Sequence, residues 1–240
     1  MKPHLKQTWC IGQLDAQFLA RMEHLLGLYA QSYDPQHPVI CFDERPCFLI
    51  GDEVAPLVMQ SERVRKEHYA YEKLGSCALL AAIEPLTGKR LAQVKKQRTK
   101  KEYTEFCQAI VAAWPEAKKI RLVQDNLNTH NASAFYEHLP AAEAKSLAEQ
   151  FDFNYTPKSA SWLNMIEIEF SALSRQCLDR RIPTIEQLEK EVLALVKERS
   201  EKKIKINWQF SLERARTKLN KHYVRINPDN IRYKEIQFTD

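Results

Sequence analysis

Glycine is scarce in this sequence, with only five residues in 240, and no internal repeat is visible. With 44% hydrophobic residues, the chain has enough apolar side chains for a sizeable core and is unlike a disordered protein. No apolar run approaches the ~20 residues that a membrane-spanning helix needs. The first residues, "MKPHLKQTWCIGQLDAQ", lack the apolar segment of a secretory signal. We therefore expect a cytoplasmic protein with no membrane partner.

Clustered cysteine is also absent. The chain has no CxxC motif and no grouped Cys/His pattern, because its cysteines are scattered over positions 10, 41, 47, 77, 107 and 177. This scatter argues against a disulfide framework and against a zinc module. It favours reduced thiols in a cytosol.

Positive charge is concentrated in two stretches. The net charge is +5, but residues 89–101 carry seven Lys/Arg and no acid, and residues 197–225 carry ten Lys/Arg and three Glu. Such concentration is the footprint expected for a polyanionic partner such as DNA. The alternative is two solvated basic segments.

Hydrophobic periodicity predicts an α/β order of elements. Short apolar runs predict strands over 39–44, 74–84, 89–95, 119–126 and 151–157. Helical spacing predicts helices over 12–30, 99–114, 132–150 with a break at Pro140, 162–179, 184–200 and 208–221. Antiparallel strands followed by alternating strand and helix indicate a mixed sheet with helices on both faces.

Two aspartates stand at predicted strand ends. Asp43 ends the first strand and Asp125 ends the fourth. Ligands bind at strand ends in open α/β sheets, and carboxylate oxygens are ligands that Mg²⁺ prefers. Two metals held by such residues can catalyse phosphodiester cleavage. The alternative is that both aspartates only cap turns.

Two blocks of sequence resemble a known family. "QDNLNTH" (124–130) and "YTPKSASWLNMIEIEF" (155–170) are similar to transposases of bacterial insertion sequences, specifically the six-thirty group related to mariner transposases. "YDPQHPVICFDE" (33–44) resembles the first catalytic strand of that group. The similarity covers roughly residues 5–230.

The resemblance implies an RNase H-like fold with a mixed five-stranded sheet and an Asp-Asp-Glu triad. Carried over by position, the triad is Asp43, Asp125 and Glu167, and it would bind two Mg²⁺ or Mn²⁺ ions. The implied activity is cleavage of DNA at transposon ends and strand transfer into target DNA. The implied partners are terminal inverted repeats and target DNA, with a homodimer on the DNA and association with the nucleoid.

The sequence departs from the family pattern at three points. Met165 replaces the usual proline before Glu167, and 41 residues separate Asp125 from Glu167, a longer spacing than is typical. Residues 138–150 could accommodate the excess. No helix-turn-helix domain precedes Leu5, so we expect the catalytic part alone, with a separate helix-turn-helix frame as a further candidate partner.

Two glutamates of the predicted helix, Glu167 and Glu169, are candidates for the third acid of the triad. The two flank an apolar stripe on opposite sides, so periodicity alone does not choose between them. Small polar residues border Glu167, namely Asn164, Ser171 and Ser174. Bulkier ones border Glu169, namely Met165, Ala172 and Gln176. We therefore assign Glu167 to the triad and Glu169 to its flank.

Further residues are expected to support the triad or to contact DNA. The supporting set is Asn126, His130 and Asn164; the DNA-contacting set is Lys95, Lys96, Arg98, Lys100, Lys101, Lys158 and Trp162. Imidazole is a poor ligand for Mg²⁺, so His130 is not assigned to metal. The alternatives are capping roles for Asn126 and His130, a core position for Trp162, and plain solvation for the basic residues. Glu44 should face the other side of its strand and stays outside the triad.

The expected organisation has three segments. These are a helical lead-in (1–35), an RNase H-like catalytic domain (36–180), and a helical extension packed on the same domain (181–240). Two other functions compete with a transposase: a domesticated or inactive DNA-binding protein with the same fold, and another RNase H-like nuclease.

Overall fold

The structure, a computed structural model, describes residues 14–54 and 68–230. Residues 12 and 13 of the predicted first helix and the outer ends of the two terminal segments lie outside these ranges. Within them, no helix combines the length and the apolar character needed to cross a membrane.

Five strands form one mixed sheet. They are β1 (Val39–Asp52), β2 (Tyr71–Ile83), β3 (Arg90–Lys95), β4 (Ile120–Gln124) and β5 (Phe151–Tyr155). Their order across the sheet is β3-β2-β1-β4-β5. β2 pairs antiparallel with β1 and with β3, whereas β4 pairs parallel with β1 and with β5. The predicted mixed five-stranded sheet is confirmed.

Helices follow the strands in the predicted order. They are α1 (Ala16–Tyr29), α2 (Lys100–Ala113), α3 (Ser133–His138), α4 (Ala141–Glu149), α5 (Ile166–Gln176), α6 (Ile185–Glu201), α7 (Leu212–Lys218) and α8 (Asn220–Ile226). A 3₁₀ turn, Ser161–Leu163, precedes α5. α2 begins with a capping box, in which Thr99 accepts from the first turn and Glu102 accepts from the Thr99 N–H.

β1 is longer than predicted. The prediction ended it at residue 44, where the apolar run gives way to acids. The structure continues it to Asp52, since residues 45–52 pair with the antiparallel β2 and a bulge absorbs a register shift between Leu49 and Ile50. Asp43 therefore lies inside a strand and not at its end, which corrects the sequence prediction.

Aromatic side chains pack against one face of β1. Phe42 packs against Phe106 and Tyr103, with ring centroids 5.2 and 5.7 Å apart, and Tyr103 stacks on Phe135. All four rings are almost completely buried. Successive strand residues alternate in direction, so Asp43 belongs to the opposite face from Phe42. That core fixes the strand that carries Asp43.

The chain forms two compact units. One contains the sheet and α2 to α6, from Ser32 to Asn207, and the other contains α1, α7 and α8. In the helical unit, Arg216 and the Tyr223 hydroxyl both donate to Glu23. The segment after residue 180 is thus divided between the units, and α6 packs on β3. The three-segment organisation stays a prediction.

Candidate active site

A cleft between β1 and α5 contains two of the three predicted carboxylates. Asp43 projects from β1 and is 9% exposed, and Glu167 lies in the first turn of α5. The cleft has a volume of ≈ 370 Å³ and is lined by Asp43, Glu44, Arg45, Pro46, Glu167, Phe170 and Ser171. Arg45 also donates to the Phe170 carbonyl, which ties the strand to the helix.

Asp125 lies at the same edge of the sheet. The parallel register of β1 and β4 aligns Cys41 with Val123, and each aspartate comes two residues later. The Asp125 carboxylate accepts from the Leu127 N–H at 3.4 Å and keeps 29% of its side chain exposed. Parallel pairing therefore places the two aspartates at matching positions.

Asp43 is a buried carboxyl group whose ionisation is affected by both other predicted acids. The pKa of Asp43 is raised to about 7, chiefly by burial and to a smaller extent by the charges of Asp125 and Glu167, while a hydrogen bond from the Glu44 N–H and the charge of His130 lower it. A carboxylate in this position is disfavoured both by low polarity and by like charge. Such a shift is typical of functional sites.

His130 is completely buried beside Asp125. Its Nδ1 is hydrogen-bonded to Asp125 Oδ1, and its Nε2 forms an ion pair with Glu44 Oε2 at 3.8 Å. Burial alone would lower the pKa of His130, but hydrogen bonds and charges from Asp125 and Glu44 raise it to about 9. The protonated ring, stacked on Tyr103, therefore holds two acids of the site in place.

Glu44 is a site residue that the sequence reasoning left out. It shares the Phe42 face of β1, opposite Asp43, as strand alternation predicts. It nevertheless lines the cleft, contacts His130 and lies 3.7 Å from Arg98. The sequence shows both Glu44 and His130 near predicted strand ends. They are 86 residues apart along the chain, so their contact could be recognised only from the tertiary structure.

A family match includes all three carboxylates. Residues 38–189, more than half of the chain, match the model of the DDE superfamily endonucleases. The chain belongs to this family. No curated protein matches the sequence.

Solved structures show the fold of this DDE endonuclease. It is similar to a Mos1 transposase paired-end complex with the left transposon end, at 11% identity and a TM-score of 0.51 over 95% of this chain and 67% of that one. It is also similar to a Mos1 strand transfer complex, at 10% identity and a TM-score of 0.53, covering 82% of this chain and 59% of that one. The RNase H-like fold is confirmed.

The donor set of this DDE endonuclease suits a hard divalent cation. Its three carboxylates offer only oxygen ligands, and their mutual repulsion would be relieved by positive charge. In the described ranges, no three His, Cys, Asp or Glu side chains are close enough to coordinate one ion. Binding would therefore require side-chain rotation, which the partly exposed Asp125 and Glu167 permit.

Asn164 and Glu169 position α5 in different ways. The buried Asn164 side chain donates to the carbonyl of Phe42, next to Asp43, at 2.8 Å. Glu169 is 2% exposed and accepts from Arg90 at 3.0 Å and from Arg199 at 2.8 and 3.1 Å. Glu169 thus points away from the cleft and into a buried ion pair network.

The residues predicted to contact DNA differ in their exposure and in whether an acid of the same chain already pairs with them. Lys95 is paired with Glu105 at 2.8 Å and Lys100 with Glu137, so intramolecular acids offset both charges. Arg98 lies near Glu44 at the edge of the site. The exposed members are Lys96, Arg98, Lys101, Lys158 and Trp162. Asn126 is exposed next to Asp125, and the 39% exposure of Trp162 argues against its alternative core role.

Proposed function

We propose that this chain is the catalytic part of a transposase of the bacterial six-thirty group. It would cleave DNA at the ends of a transposon and transfer the strands into target DNA, in the cytoplasm at the nucleoid. The main support is the shared cleft of Asp43 and Glu167, together with the parallel register that aligns Asp125 on β4 with Asp43 on β1. Two similar structures are Mos1 transposase complexes, one of them with the left transposon end and the other a strand transfer complex.

Asp43, Asp125 and Glu167 are the residues that would hold two Mg²⁺ or Mn²⁺ ions. Bound metals would activate the attacking oxygen and stabilise the leaving oxygen of the phosphodiester. The protein's own contribution is positional. His130 orients Asp125, Asn164 anchors the start of α5 to β1, and the core behind Phe42 keeps Asp43 fixed.

Double-stranded DNA is the proposed partner, bound as terminal repeats and as target. The exposed Lys96, Lys101 and Lys158 supply positive charge for phosphates, and Trp162 supplies a ring for an unpaired base. We also propose a homodimer on the DNA, in which each copy acts on one of the two transposon ends.

Nicking of a duplex that carries the end of the element tests the proposal. Glu167→Gln and Asp43→Asn should lower the rate by on the order of a thousandfold in Mn²⁺, since each removes a metal ligand. Glu149→Gln, an exposed acid on α4, is the matched control and should leave the rate unchanged. Calorimetry should show Mn²⁺ binding to wild type and weaker binding to both ligand variants.

Two results would contradict the proposal. One is full nicking activity in Glu167→Gln or Asp43→Asn. The other is a wild-type chain that binds DNA but neither binds metal nor nicks DNA, which would support the domesticated DNA-binding alternative.

A further inference from the structure

The catalytic cleft contains a positively charged side chain beside its acids. Among the described residues of its wall, Asp43, Glu44 and Glu167 are acids, and Arg45 is the one cation. Arg45 follows Asp43 by two positions on β1, so strand alternation gives both the same face of the sheet. The cleft therefore combines an acidic centre with one basic group next to it.

Two contacts hold the Arg45 guanidinium against α5. Its Nη1 donates to the Phe170 carbonyl at 3.2 Å and is hydrogen-bonded to the Ser174 hydroxyl. Phe170 also lines the cleft, so these contacts place the guanidinium at the cleft wall. Tying β1 to α5 accounts for Nη1 alone, because arginine has five N–H donors on three nitrogens.

The other two nitrogens of this guanidinium are available. In the described ranges, Nε and Nη2 of Arg45 have no hydrogen-bond partner, and neither is one of the buried polar atoms that lack one. Both nitrogens are therefore open to solvent. The planar edge that carries Nε and Nη2 can donate two parallel hydrogen bonds to two oxygens of one phosphate.

The charge of Arg45 is not offset within the part of the chain that the structure describes. Three acids line the same cleft, yet no described acid lies within ion-pair distance of this guanidinium. By contrast, Arg90 and Arg199 both pair with the buried Glu169. A partly buried charge without an internal counter-charge is unfavourable, so an external anion would be bound there with a gain in stability.

Arg45 lies beside the metal-ligand candidates and not among them. Two residues along β1 separate it from Asp43 by about 6.6 Å. On α5, its partners Phe170 and Ser174 are three and seven residues beyond Glu167, or about 4.5 and 10.5 Å along the helix axis. Strand and helix thus both displace the guanidinium from the acids. A phosphate at Arg45 is therefore a neighbour of the phosphate at the acids.

We propose that Arg45 binds a DNA phosphate adjacent to the scissile one, through its Nε and Nη2 donors. This inference rests on the proposed function, because the ligand is the strand that Asp43, Asp125 and Glu167 would cut. The contacts of Nη1 with α5 keep the guanidinium aimed into the cleft. Arg45 is thus a substrate-binding residue that sets the register of the strand and leaves metal binding to the acids.

A scan with uncharged phosphates tests the contact. Each phosphate near the end of the element is replaced in turn by a methylphosphonate, and binding of the full chain is measured by fluorescence anisotropy in Ca²⁺, which also takes oxygen ligands. One replacement beside the cleavage position should weaken wild-type binding by about tenfold, the effect of a charge-assisted hydrogen bond. The same replacement should have no effect in Arg45→Gln, because the two losses are coupled.

Three further variants separate this role from a structural one. Arg175→Gln removes an exposed arginine of α5 outside the cleft wall and is the matched control, with the wild-type scan expected. Ser174→Ala removes one anchor of Nη1 but keeps the charge, so the phosphate-specific loss should persist. Arg45→Lys keeps the charge without the planar fork and should give an intermediate loss.

Nicking in Mn²⁺ distinguishes strand binding from metal binding. Arg45→Gln should raise KM by about tenfold with kcat changed far less, whereas Glu167→Gln should lower kcat. The inference is overturned if no phosphate is coupled to Arg45, if the coupled phosphate is the scissile one, or if Ser174→Ala abolishes the coupling. Coupling in a wild-type chain that does not nick supports the Arg45 contact and counts against the proposed catalysis. Nicking without coupling overturns this inference alone.

Discussion

The Nδ1 atom of His130 is hydrogen-bonded to the Asp125 carboxylate, while its Nε2 faces Glu44 at 3.8 Å. One buried imidazole therefore orients a metal-ligand candidate at the end of β4 and neutralises an acid within β1. The two strands are adjacent and parallel, so the ring connects both at the edge where the cleft opens.

Replacing His130 should reduce catalysis without removing a metal ligand. His130→Asn should lower the nicking rate by about 10- to 100-fold, the usual effect of losing a residue that orients a ligand. His138→Asn, on the exposed side of α3, is the control. Rates over a Mn²⁺ titration give the measurement, and saturating metal should recover part of the loss. A wild-type rate at all Mn²⁺ concentrations would rule out this positioning role.

Substitution of Glu169 should lower stability, whereas substitution of Glu167 should lower nicking activity. Glu169→Gln leaves Arg90 and Arg199 with less than their compensating charge in a buried site, so we expect a loss of about 3–5 kcal/mol in unfolding free energy. Glu167→Gln should leave the free energy of unfolding nearly unchanged and abolish nicking. Urea unfolding and nicking at low temperature measure the two effects. The assignment fails if Glu169→Gln is fully stable but inactive.

The lysines of the basic stretch 89–101 should differ in how much they contribute to DNA binding, because some are exposed and others are paired with acids. Lys96→Ala/Lys101→Ala should reduce the slope of log K against log salt by about 1.8, because each phosphate contact contributes about 0.9. Lys95→Ala/Lys100→Ala should change it less, since Glu105 and Glu137 already offset those charges. Fluorescence anisotropy from low to high salt measures the slopes. Equal changes in both double variants would contradict this distinction.

The helical unit should lose stability in acid through Glu23. Hydrogen bonding from Arg216, more than the opposing burial, holds the pKa of Glu23 below its ordinary value of 4.5. A lowered carboxyl pKa gives stabilisation that is present above the ordinary value and is lost as pH falls through the folded-state pKa. The protection of α1 amides, expressed relative to their slower intrinsic exchange in acid, should therefore decrease below about pH 4.5 in wild type. Glu23→Gln should exchange faster at neutral pH and respond less to acid.

Local patterns in the sequence were sufficient for the elements and for the order of the fold. Thr99 and Glu102 specify the start of α2 through contacts three residues apart, and short apolar runs mark four of the five strands closely. The triad of Asp43, Asp125 and Glu167 was predicted from the family resemblance of the motifs around these residues, and it stays a prediction. These patterns involve residues that are close together along the chain, so they can be recognised from the sequence alone.

Tertiary structure decided what each acid does. The extension of β1 past Glu44 depends on pairing with β2, and the roles of Glu44 and Glu169 depend on His130, Arg90 and Arg199. Glu84 is likewise a buried acid whose partner Trp114 lies at the end of a helix, 30 residues further along the chain. In each case the partner is distant along the chain, and a carboxylate's charge state and function follow from its spatial neighbours and burial. Residue type and periodicity specify that an acid is present; only folding brings together the groups that make it a ligand, a structural anchor or a binding site.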